Sequence, residues 1–206
     1  MPLVRLLAIA LLIGTVLLGV GAMLHPVLAG DAEAQLRLIA TTTHWRAIHL
    51  TMLGGTGLVV AGLWVRLLDD PSGTSSPMVA ALAVIALGLC INALNIAFMT
   101  GSGWRMATLF QEGGTEMSAL FDATHPIGLM AARFGNSLVA LGAIALGFLE
   151  WRDPRRPRWI AALAWIAAAG GLAGVLFFHE SSPLTLAAVS LLSGWQIATA
   201  LRSLRA

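Results

Sequence analysis

The sequence predicts an all-α, polytopic integral membrane protein: a single six-transmembrane-helix bundle over residues 1–206, with N- and C-termini cytoplasmic. Three observations predict it. The chain is 58% hydrophobic and 11% charged, against about 25% charged in an ordinary soluble domain, so lipid must be the solvent for much of its surface. Its apolar residues gather in six runs, each near the ~20 residues that cross a ~30 Å hydrocarbon core as a helix. The arginines between those runs fall unequally on the two sides.

The first run, 4–24, sits in "MPLVRLLAIALLIGTVLLGVGAMLHPVLAG", which resembles a signal peptide with Val27 and Ala29 placed as a cleavage signal. Its apolar core exceeds the 7–15 residues usual for such a signal, so it is read as the first span. A polar stretch, 25–46, leads to the second span, 47–68. A short connection, "DDPSGTSSP", precedes the third, 78–99. Lipid supplies no hydrogen bonds to the backbone, so apolar runs of this length must be helical.

The stretch 100–126 is longer. Trp104, Leu109 and Phe110, then Met117, Leu120 and Phe121, recur at helical spacing on either side of Gly113-Gly114. Two short interfacial helices lying on the membrane surface are expected there, and the polar stretch 25–46 is assigned the same character. The fourth span, 127–149, should start at "DATHPIG", with Asp122 or Thr124 as cap and Pro126 in the first turn. Gly128, Gly135 and Gly142 mark a close-contact face on it, because small residues let helix backbones approach where no hydrophobic drive exists. After "RDPRRPR" come the fifth span, 158–178, with Gly170 and Gly174 in small-xxx-small spacing, and the sixth, 183–201.

Positive charge sets the orientation. One side collects Arg5, Arg66, Arg152, Arg155, Arg156, Arg158, Arg202 and Arg205; the other holds Arg37, Arg46 and Arg105. The first side is therefore assigned to the cytoplasm and the chain to the cell inner membrane. Trp45 and Trp104 fall at the outer border, where they are expected only to anchor helix ends.

Several function classes are excluded or weakened. The chain has no lysine and no tyrosine, which removes Schiff-base chemistry, a lysine base and phenol relays. Cys90 is the single cysteine, so no internal disulfide forms. A net charge of +2 with no basic stripe gives no footprint for nucleic acid. No phosphate loop, HExxH or CxxC is present.

What remains is histidine. His25, His44, His49, His125 and His179 all map to the outer face under this topology. Neutral imidazole and carboxylate are ligands for zinc, copper and iron, and several helix ends could bring them together. The expected site takes haem b or a transition metal on His49, His125 and His179, with His44, His25, Glu180 and Asp122 as further candidate ligands. His44 and His49 are five apart, about 140° around an ideal helix, so they do not share one metal from one regular helix. His49 lies deeper, and an intramembrane histidine should point into the bundle.

Beneath them lies a polar layer. Arg133 is the only charge read as deep in a span, about 12 Å below His125 at 1.5 Å per residue. Asn92 falls at a similar depth on span three, with Asn95 three residues on and on the same face. These three are the expected contacts for a haem propionate or another anionic group.

The function expected on these grounds is redox or metal-dependent chemistry at the outer leaflet. The alternatives are a non-catalytic scaffold or accessory subunit of a membrane complex, and a transporter of a small polar or anionic solute. The partners implied are the lipid bilayer and a membrane-protein partner or a second copy of the chain.

Overall fold

The computed structural model describes residues 3–68, 75–177 and 183–205. In chain order the described helices are α1 (Leu3–Leu24), α2 (Ala32–Thr41), α3 (Trp45–Gly62), α4 (Val65–Leu68), α5 (Ser76–Phe98), a π-helical turn (Met99–Gly103), α6 (Trp104–Gln111), α7 (Glu116–Arg152), α8 (Arg158–Phe177) and α9 (Pro183–Arg205). The six long ones pack as a ring: α3 against α1 and α5, α5 against α7, α7 against α8, α8 against α9, and α9 back against α1.

The expectation of six spans is corrected. Among the described residues, five helical stretches are long and apolar enough to cross a membrane: Leu3–Leu24, Trp45–Leu68, Ser76–Gln111, Glu116–Arg152 and Arg158–Leu176. The sixth run does fold as helix, α9, and closes the ring, but it is not one of the five. Its inward face mixes polar and apolar side chains: Gln196, Thr199 and Ser203 are buried beside Trp195 and Ala200, and the three polar ones recur at the spacing of one helix face. With five spans, the even number on which a shared cytoplasmic side for the two termini rested is gone. The chain is an all-α, multi-pass, membrane-embeddable protein.

Two of the five outrun the bilayer. The 37 residues of α7 and the 36 of Ser76–Gln111 would each reach about 55 Å at 1.5 Å per residue, well beyond a ~30 Å hydrocarbon core. Their excess comprises the short helix α6 and the first turns of α7. α6 continues α5 through the π turn, and α7 starts at Glu116 and runs on through Pro126. A turn with Gly113 at φ +102° joins them, a backbone state glycine adopts without a Cβ clash. The expected helix start at Asp122–Pro126 is therefore corrected: Thr124 instead bonds back to the Leu120 carbonyl at 2.7 Å, inside the helix.

These extensions and α2 form a cap with a small core of its own, built from Leu36, Ile39, Trp45, Met106, Phe110 and Phe121 among others. The main core lies in the ring and runs from Leu11 and Val59 through Leu82 and Leu146 to Trp195. Glycine seams hold the ring together. A Cβ on Gly88 would lie 2.5 Å from the Gly135 carbonyl oxygen, and one on Gly14 would lie 2.7 Å from that of Gly55. Both helix pairs touch backbone to backbone at these points.

Candidate functional site

Side chains that carry chemistry gather at the two ends of the bundle. At the histidine end, α1 stops at Leu24, and His25 turns back over α3. Its ring meets Trp45 at 5.0 Å between centroids and His49 edge-on at 4.9 Å. Trp45 and His49, one turn apart on α3, pack at 4.3 Å. His49 is 2% exposed, and its Nδ1 lies 2.9 Å from the Trp45 carbonyl oxygen. A carbonyl only accepts, so Nδ1 carries the proton and Nε2 keeps its lone pair.

Trp45 is not a border anchor. It is 2% exposed, and its indole N–H donates to the Met99 carbonyl at 3.0 Å, at the start of the π turn. It thereby ties α3 to the junction of α5 and α6. His125 is also buried, stacked on Phe121 at 4.6 Å and parallel to Phe98 at 6.4 Å. Burial lowers the His25 pKa to about 4, assisted by repulsion from His49 and more weakly from His125, while the Pro26 backbone acts the other way.

The remaining candidate ligands do not join this cluster. His44 precedes α3 at φ +67° in the left-handed region and points outward, so it diverges from His49. Asp122 is exposed and lines a shallow acidic cleft with Asp31, Glu33 and Ser118. His179 and Glu180 lie outside the described residues. Among the described residues, no group of three or more His, Cys, Asp or Glu side chains could hold a metal ion. That corrects the expected histidine cluster for metal or haem. The geometry of the one close pair gives the reason. Nitrogens on opposite sides of one metal stand about 4 Å apart, at ~2 Å each, with ring centres farther still. An edge-on contact of 4.9 Å between His25 and His49 leaves no place for a macrocycle between them.

In the polar layer, Asn92 donates to the Asn136 side chain at 2.9 Å, linking α5 to α7. The Asn95 carboxamide oxygen sits against Gly128, where a Cβ would come within 2.5 Å of it. Arg133 is half-buried on α7.

The most buried charges are elsewhere, at the arginine end. Arg66 on α4 and Glu150 near the end of α7 form an ion pair in which each side chain is 1% exposed. Arg156 approaches the same carboxylate at 3.3 Å and donates to the Arg66 carbonyl at 3.2 Å. The Arg66 guanidinium also bonds the Thr199 hydroxyl and lies 4.9 Å over the Trp195 ring. Thr199 in turn donates to the Trp195 carbonyl at 2.9 Å. The Asp153 carboxyl is held below its ordinary range, chiefly by the Arg155 side chain. This network clamps α4, α7, the connection after α7, and α9. Sequence reasoning missed it, although a signal exists: "LWVRLL" and "ALGFLEW" each set one charge in an apolar run, and opposite signs there invite pairing.

Both clusters stand on their geometry alone, for no family model, no curated protein and no solved structure matches the chain.

Proposed function

We propose that the chain is a membrane-embedded scaffold or accessory subunit whose outward α3 face docks a transmembrane helix, that of a second copy of the chain. One observation carries this reading. Within the ring, many glycines on helix faces serve close approach: at Gly14, Gly55, Gly62, Gly88, Gly135 and Gly142 a Cβ would fall 2.4–2.7 Å from an atom on a neighbouring helix. Gly19, Gly194, Gly54 and Gly57 have nothing within 4 Å, and of these only Gly54 and Gly57 lie three apart on one exposed helix face. They share their exposed face with Ala47, Leu50, Leu58 and Ala61. Glycine costs a helix about 1 kcal/mol relative to alanine. In lipid, small residues at this spacing create the shallow groove into which a second helix packs.

The test separates docking from folding. In mild detergent or nanodiscs, the full chain is expected to run as an assembly larger than its 21.5 kDa. G54L/G57L should return it to the monomer mass without lowering its thermal midpoint, because both positions open onto empty space. G54A/G57A should raise helix stability by up to about 1 kcal/mol per site and weaken assembly less than leucine does. A wild-type chain that stays monomeric in bilayers, or a leucine variant that assembles as before, ends this reading.

A further inference from the structure

The arginine end carries a second arrangement that neither the ring nor the scaffold reading uses. Arg66 and Arg156 are neutralised inside by Glu150 and Asp153. Among the described residues every other acid lies at the histidine end, while Asp69 and Asp70 fall outside them. Arg152 and Arg158 flank the connection between α7 and α8, both exposed. Beside them, Trp151 is 40% and Trp159 58% exposed. The Arg158 guanidinium lies 5.3 Å over the Trp151 ring.

The rest of this end is basic as well. Thr15 on α1 shares a hydrogen bond with Gln196 on α9 at 3.0 Å. From there α1 runs back to Arg5 and α9 forward to Arg205, which brings these two exposed arginines to the same end. Indole rings settle at headgroup depth. Arginine buries its stem beside them and keeps its guanidinium in the polar zone, where its fork donates to two phosphate oxygens at once.

We propose that the arginine end binds anionic phospholipid headgroups, with the phosphate seated on Arg152 and Arg158 between Trp151 and Trp159. The pairing supplies both halves of a lipid contact. The exposed indoles reach the acyl–headgroup boundary, and the two guanidiniums meet the negative charge that a zwitterionic headgroup lacks in net terms.

Native mass spectrometry of the full chain, titrated with phosphatidylglycerol and with phosphatidylcholine, tests this. Phosphatidylglycerol should be retained in preference. R152Q/R158Q should weaken its binding roughly thirtyfold, from two surface charges each acting on an anionic headgroup, and leave phosphatidylcholine binding unchanged. R152K/R158K, which keeps both charges, should retain most of the preference and controls for fold. R37Q/R105Q, at the opposite end, should retain all of it. The proposal is overturned if the wild-type chain shows no preference, or if R152Q/R158Q keeps it. It is overturned equally if R37Q/R105Q loses it, or if inorganic phosphate alone protects the chain from thermal unfolding as well as the lipid does.

Discussion

Glu150 is held by one charge from far along the chain, Arg66, and one only six residues on, Arg156. Its carboxylate faces Arg66 and Arg156 with almost no access to water. Removing one member of such a group strands the others, which costs about 3–5 kcal/mol, whereas replacing a pair with apolar residues of similar volume is often neutral. E150Q is therefore expected to lower the thermal midpoint strongly in detergent micelles, and R66M/E150L to lower it less than E150Q alone. An E150Q midpoint equal to wild type would show that the pair contributes nothing. His25 gives a second prediction at this scale. Its pKa is lowered from 6.5 to about 4, mainly by burial, so the folded state favours neutral imidazole. Between pH 6.5 and 4 the unfolded chain takes up a proton that the folded chain resists. Stability should therefore fall as pH drops through that window, with no contribution above it. H25L should flatten this part of the pH profile of the melting temperature. His49 was legible as an inward-facing histidine from its depth in an apolar run. Its close partner was not: it is His25, brought over by the end of α1, and His125 is stacked on phenylalanines.

At the level of elements, the seam of Gly128, Gly135 and Gly142 was readable because seven residues return a side chain to nearly the same helix face. What it packs against was not readable. Asn95 fills the gap at Gly128, Gly88 and Asn92 that at Gly135, and Ile85 and Ala81 that at Gly142, and their register follows from how far α5 slides along α7. G88A places a methyl 2.5 Å from the Gly135 carbonyl oxygen. Backbone cannot swing aside as a side chain can, so a loss of about 1–3 kcal/mol in chemical unfolding is expected. A neutral G88A would mean that the two helices separate freely. The boundaries at the histidine end were misread for a related reason. "TGSG" looks like a break and "THPIG" like a start, since glycine and proline are weak helix residues by local preference. Packing overrides that preference: Trp45 holds the π turn through Met99, and Phe121 and His125 pack on Phe98 across the cap.

On the scale of the whole molecule, the two ends differ in kind. The histidine end is a helical cap on aromatic and imidazole packing, tied on its surface by Arg37 over Phe110 at 5.1 Å and Arg46 over Trp104 at 4.8 Å. The arginine end is a charged clamp with exposed tryptophans. The ring between them turns leucine, isoleucine and phenylalanine outward, as on α7 at Ile127, Met130, Phe134, Leu141 and Phe148, the stripe a lipid-facing helix needs. That a membrane is the solvent, that the chain is all helix, and roughly where the long helices run, were determined by sequence alone. Those properties depend on run length and on backbone groups that lipid cannot satisfy, and both are local. Only the tertiary structure decided that α9 turns polar side chains inward, that two long helices extend into a cap packed with α2, and that Glu150 meets Arg66. It likewise decided that His25 and His49 meet, while among the described residues no group of three or more candidate ligands could hold a metal ion. Those outcomes depend on the rotation and slide of each helix against its neighbours, where one residue's shift turns a side chain by about 100°, and no single run of sequence encodes that.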